Sequence, residues 1–74
     1  MSERRIAQLL KMANQIALNL GAGTDPEGAA LRTAEHLRKF WTRDMLARLR
    51  EYDAQGGEDL EPAVQRALAL PESH

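Results

Sequence analysis

His36-Leu37-Arg38-Lys39-Phe40-Trp41-Thr42-Arg43-Asp44-Met45 is the stretch that decides how this chain folds. It holds two of the three aromatic residues side by side, at the junction where one helix ends and another begins. Upstream, Ala30, Ala34, Leu37 and Trp41 recur at helical spacing, with Thr33 and Phe40 at one edge of the stripe. Arg32, Glu35 and Lys39 lie opposite, and Glu35 precedes Lys39 in the favoured i, i+4 orientation. Downstream, Thr42 is suited to an N-cap, with Asp44 at the positive end of the next helix. Trp41 falls mid-stripe and reads as core, whereas Phe40 at the margin reads as a surface for a partner. A buried tryptophan removes roughly 150–250 Å² from water, so in so short a chain it decides whether a core exists.

Working back towards the N-terminus, Ile6, Leu9, Leu10, Ala13, Ile16, Ala17 and Leu20 fall within an arc of about 120° at helical spacing. They define a helix over about 3–20, with Ser2 expected as its N-cap and Gly21 as the residue that ends it. Its back carries Gln8, Met12, Gln15 and Asn19, and no charged residue occurs between Lys11 and Asp25. Solvated helix backs normally carry Lys and Glu. The uncharged face therefore reads either as a contact surface or as a plain polar one, since interface cores are poor in Lys, Glu and Asp. The turn Gly21-Ala22-Gly23-Thr24-Asp25-Pro26 offers two starts for a helix over about 26–41: a capping box of Thr24 with Glu27, or Asp25 as N-cap before Pro26.

Working forward, Met45, Leu49 and Tyr52 form the stripe of a third helix, about 43–55, with Leu46 alongside and Gly56-Gly57 ending it. Asp59 is expected to cap a short fourth helix, about 60–70, with Pro62 in its first turn and Leu60, Val64, Ala67 and Leu68 inward. Pro71 is expected to stop it, and Pro71 to His74 to fray. The expected fold is all-α, a single bundle of three to four short helices over residues 1–74.

Composition narrows the chemistry. With 74 residues, a lone core of this size supplies only about 3–5 kcal/mol. Twelve alanines bury little area each, so stability rests on about twenty larger apolar side chains or on another protein's surface. There is no cysteine, hence neither a disulfide nor a thiolate ligand, and the second of two histidines is the last residue. Ten basic residues balance eleven acidic ones, which argues against binding a polyanion or a membrane by bulk charge. No apolar run approaches the ~18 residues of a membrane span, and the N-terminus lacks a signal-peptide core. Two glycines at 21 and 23 without a preceding strand or a following Gly-Lys-Ser/Thr do not make a phosphate loop. No nucleophile, base and orienting group are apparent, and no Glu-x-x-His pair occurs. The chain reads as a cytoplasmic protein that is not an enzyme and holds no cofactor, metal or small-molecule substrate. A small helix-turn-helix-like DNA-binding or transcription-regulating protein is the alternative, because Arg38, Lys39, Arg43, Arg48 and Arg50 cluster around the second junction. Against it, that turn has no glycine and Met45, Leu49 and Tyr52 are committed to the core.

Three stretches carry a family resemblance: Lys11-Met12-Ala13-Asn14-Gln15-Ile16-Ala17, His36-Leu37-Arg38-Lys39-Phe40-Trp41, and Tyr52 to Leu68 with its Gly-Gly and Leu-x-Pro. Together they resemble the small delta subunit of cytosolic, NAD-dependent formate dehydrogenases containing molybdenum or tungsten. That family often has Asp-Pro-Arg-Met after the tryptophan, where this chain has Thr42-Arg43-Asp44-Met45. Thr can replace Asp as an N-cap and Met45 keeps its place, so the departure touches local chemistry more than architecture. The resemblance implies a non-catalytic accessory subunit that docks on the catalytic alpha subunit and supports assembly, cofactor maturation or stability. The alpha subunit holds the molybdopterin, and the delta chain carries no cofactor. The residues expected to meet that partner are Met12, Gln15 and Asn19 on the uncharged back, and His36 and Phe40 on the stripe margin. Trp41, Arg43 and Met45 at the junction complete the set. No contact with nucleic acid or membrane is expected.

Overall fold

The computed structural model describes residues 2–70, with side chains from Arg5 onward. Four helices follow one another: α1 (Ser2–Asn19), α2 (Pro26–Phe40), α3 (Arg43–Ala54) and α4 (Pro62–Ala69), with no strand among the described residues. α1 lies against the other three. α4 packs chiefly on α2, whereas α3 leans on α1 and meets α2 and α4 only weakly. Leu9, Ala13 and Ala17 face Leu37, Trp41, Leu49, Val64 and Leu68 in one core, with Ile6, Leu10, Ile16, Met45, Leu46 and Tyr52 packed around it. Ala29, outside the stripe read from the sequence, is also fully buried.

The helix ends follow from local chemistry. α1 stops through paired bonds from Gly21 N–H to the Leu18 carbonyl (3.2 Å) and from Ala22 N–H to the Ala17 carbonyl (3.0 Å). This closing pattern needs a left-handed residue, and Gly21 supplies it at φ +103°. Gly56, at φ +130°, ends α3 in the same way, with bonds from Gly56 to Asp53 and from Gly57 to Tyr52, each 3.2 Å. Of the two starts open for α2, Asp25 is the cap: its Oδ1 accepts from Gly28 N–H at 3.1 Å, and Pro26 opens the helix. Thr42 caps α3 as expected, accepting from Met45 N–H at 3.1 Å. Ser2, expected as the α1 cap, is instead the first residue of the helix. The stop at Pro71 and the fraying of Pro71 to His74 lie outside the described residues.

α4 begins differently from the expectation that Asp59 would cap it. Asp59 adopts φ +67°, and Glu61 occupies the cap position without any side-chain cap bond. The cap comes from α1 instead. Asn14 Nδ2 donates to the Asp59 carbonyl at 2.7 Å, and Asn14 Oδ1 accepts from Glu61 N–H at 2.9 Å. One amide thereby fixes both sides of the turn and satisfies an N–H that an isolated helix start leaves orphaned. The same turn is held by Tyr52 Oη donating to the Glu58 carbonyl at 2.8 Å and by Gln65 Nε2 donating to that of Gly57 at 3.3 Å. A second distant cap closes α1: Arg32, placed on the solvated face by sequence, donates from Nε (2.9 Å) and Nη2 (2.8 Å) to the Leu20 carbonyl.

Asn14→Ala should lower stability by about 1–3 kcal/mol, because Glu61 N–H loses its acceptor along with the bond to Asp59. Denaturant unfolding measures the loss, and hydrogen exchange should accelerate first at the start of α4. The Thr33 hydroxyl is fully buried without a hydrogen-bond partner. Thr33→Val, which replaces that hydroxyl by a methyl, should raise stability by ~1 kcal/mol, read as a higher melting midpoint.

Candidate partner interface

The eight residues singled out from the sequence lie in several separate settings. On α1, Met12 (43% exposed), Gln15 and Asn19 share one solvent-facing side, where Gln15 Nε2 donates to Asn19 Oδ1 at 3.4 Å. Leu18, 49% exposed on the flank of that side, adds apolar surface that the reading of polar periodicity overlooked. The face is wetted, uncharged and studded with two large apolar side chains.

Phe40 is the most exposed large apolar residue among those described, at 70%. Its helix ends beneath it and the chain turns away, so no later turn covers the ring. His36, half-buried one turn earlier, brings its ring centroid to 4.8 Å from that of Phe40 at 47°. The tilted pair holds the Phe ring in place without hiding it.

Trp41 is only 7% exposed. Its backbone leaves the helix (φ −95°, ψ 145°) while its N–H still donates to the Leu37 carbonyl at 2.9 Å. Trp41 is therefore core first. With Arg43 it also lines a groove of about 540 Å³ between α2, α3 and α4, present because α3 leans on α1 and leaves α4. Leu46, Ala47, Leu68 and Leu70 complete much of the apolar lining, and Arg38 and Arg50 join Arg43 as its charged residues. Met45 is half-buried against the core rather than on an open face. The groove was not read from the sequence: its residues come from three helices, and the gap between them has no periodic signature.

Among the described residues no three His, Cys, Asp or Glu side chains gather in a group able to hold a metal ion, and no helix is long and apolar enough to cross a membrane. The arginines near the junction do not form a single outward strip. Arg48 pairs with Asp44 at 3.1 Å, while Arg38, Arg43 and Arg50 turn to the groove. What the chain offers is surface: an uncharged helix face, an exposed aromatic pair and an arginine-lined groove around a helical core.

The fold and its surfaces define a small all-helical protein, and comparison with known families identifies which. Residues 8–68 match the family described as NADH-dependent formate dehydrogenase delta subunit, FdsD, and the chain belongs to that family. The match spans α1 from Gln8 to the end of the core positions of α4 at Leu68. No curated protein and no solved structure matches the chain.

Trp41→Ala should destabilise the free chain by ~3–5 kcal/mol, enough to unfold a domain this small. Phe40→Ala should change its stability by no more than about 0.5 kcal/mol, since the ring is mostly in water already. Thermal melts with circular dichroism distinguish the two, and equal losses would remove the distinction between core and surface at this junction.

Proposed function

We propose that this chain is a non-catalytic accessory subunit of a cytoplasmic, NAD-dependent molybdenum formate dehydrogenase. It docks on the catalytic alpha subunit and supports that subunit's assembly, cofactor maturation or stability. Membership of the delta-subunit family carries the reading. The residues agree with it. The chain has no cysteine, and among the described residues the acids and the internal histidine do not gather into a metal-holding group, whereas exposed Phe40, Met12 and Leu18 suit a contact surface.

DNA binding has two supporting features, the tight α2–α3 junction capped by Thr42 and the basic residues around it, Arg38, Lys39, Arg43, Arg48 and Arg50. It is the weaker reading. Leu49 is fully buried, Met45, Leu46 and Tyr52 pack on the core, and Arg48 is occupied by Asp44, which leaves little of α3 to enter a groove of DNA.

The test is to purify the catalytic subunit with and without this chain and measure bound molybdopterin and activity. Coelution, with lower molybdopterin occupancy or faster inactivation when the chain is omitted, is the expected result. A catalytic subunit that neither binds the chain nor changes on its omission would overturn the proposal. Gln15→Glu combined with Asn19→Lys should weaken coelution while leaving the melt unchanged if the α1 face is desolvated in the complex.

A further inference from the structure

We infer that α4 is a hinged strap whose closure on α2 readies the chain for docking, with the Asn14 amide as its latch. The inference rests on the docking role proposed above and adds to it a conformational step within this chain. Three observations carry it. First, α4 does not stand on its own. It spans eight residues, its cap residue Glu61 makes no side-chain cap bond, and its start is fixed from α1 by Asn14. A helix of that length does not persist in water once its outside contacts are lost. Second, the turn before it is built as a hinge. Gly56, Gly57 and Asp59 all have positive φ, and Asp59 holds +67° although it carries a Cβ. Tyr52 Oη ties the Glu58 carbonyl to α3 at 2.8 Å, so the pivot falls just after Glu58. Across it run the two Asn14 bonds, a 3.3 Å bond from Gln65 Nε2 to the Gly57 carbonyl, and the well-exposed Arg66–Glu27 pair, which adds little. Third, α4 fixes the part of α2 that the docking role uses. Val64 and Leu68 share one core with Leu37 and Trp41, and α4 packs chiefly on α2. Trp41 marks the point where α2 breaks, with Phe40 exposed just before it.

With α4 released, Leu37 and Trp41 lose apolar neighbours, and the end of α2 that carries His36 and Phe40 loses its fixed place. Closed and open chains therefore present different α2 ends. A partner that reads the closed one binds in proportion to the closed population. Asn14 is a positioning residue in this scheme: half-buried on α1, it acts on α4 and not on the partner. Asp59 works against the latch, because a left-handed φ is costly for a residue with a Cβ and free for glycine. Its carboxylate enters no hydrogen bond or ion pair among the described residues, so Asp59→Gly relieves the turn without removing a contact.

The experiment uses the full chain and the catalytic alpha subunit, with native-state hydrogen exchange and affinity by titration. In the free chain the α4 amides from Gln65 to Leu68 should exchange at least about tenfold faster than those of α1 around Ala13 and Ala17, through an opening that leaves α1 to α3 folded. Asn14→Ala should speed α4 exchange about fivefold or more and weaken binding about threefold or more, while circular dichroism keeps the signal of the three longer helices. Asp59→Gly should slow α4 exchange, and added to Asn14→Ala it should restore part of the lost affinity. A direct contact between Asn14 and the partner would not be restored in this way. Binding of the alpha subunit should in turn protect the α4 amides. If α4 exchanges only together with the other helices, or Asp59→Gly leaves its exchange unchanged, the strap is overturned while the docking role stands. If α4 opens first but Asn14→Ala binds as tightly as the parent or more tightly, closure does not prepare docking and the inference fails. If the parent does not bind the alpha subunit, the docking role fails and the coupling of α4 to it falls as well.

Discussion

The side-chain amide of Asn14 holds the two ends of the molecule together. Its Nδ2 donates to the Asp59 carbonyl and its Oδ1 accepts from Glu61 N–H, across more than forty residues of chain. α4 has only eight residues, too few to persist in water on propensity alone. It forms because its start is fixed by α1 and because Ala63, Val64, Ala67 and Leu68 are buried once it is placed. Without that anchor, α2 would lose its main packing partner. Both of the amide's polar atoms are satisfied, which is what makes an asparagine tolerable at this half-buried position.

Distant caps of this kind recur. Arg32 of α2 closes the end of α1 through the Leu20 carbonyl and lies 3.6 Å from the α2 cap Asp25, so one guanidinium serves two helix termini. Arg66 of α4 pairs with Glu27 of α2 at 3.2 Å, but both side chains are well exposed, and such a pair adds little. The bonds that matter in this domain are those to backbone groups at helix ends, because an unmet N–H or C=O there costs more than a surface ion pair returns. An alanine-rich core with a single tryptophan leaves little surplus stability, and these caps are a larger share of the total than they would be in a bigger protein.

The same architecture produces the surfaces. A fourth helix that prefers α2, and a third that prefers α1, leave the α3–α4 side open, and the arginine-lined groove results. The break at Trp41 puts the indole inward and Phe40 outward within two consecutive residues. A buried ring and an exposed ring are thus adjacent at the junction. Removing the indole takes away core, whereas removing the Phe40 ring takes away only exposed apolar surface. For a subunit whose proposed work is contact with a larger protein, that proximity couples its stability to the shape of its binding face.

Much of this was determined by the sequence alone. Helical periodicity placed α1 and its inward residues, Thr42 announced its own capping bond to Met45, and Gly21 and Gly56 marked ends that only a left-handed residue closes cheaply. The Met12-Ala13-Asn14-Gln15-Ile16 and His36-Leu37-Arg38-Lys39-Phe40-Trp41 stretches carried the family resemblance that the match over residues 8–68 established. These features are local: propensities, caps and spacings act over a few residues, and a linear reading resolves them. What the tertiary structure decided is what links distant residues. Asp59 has the chemistry of a cap, yet the chain passes through it at φ +67° and Asn14 does the capping. Arg32 lies on a face that periodicity assigns to water, yet it reaches a carbonyl twelve residues back. The groove is assembled from three helices whose relative tilt no spacing encodes. A residue's hydrogen-bonding capacity is written in its type, but its partner is set by where the packing of the whole core leaves an unpaired group.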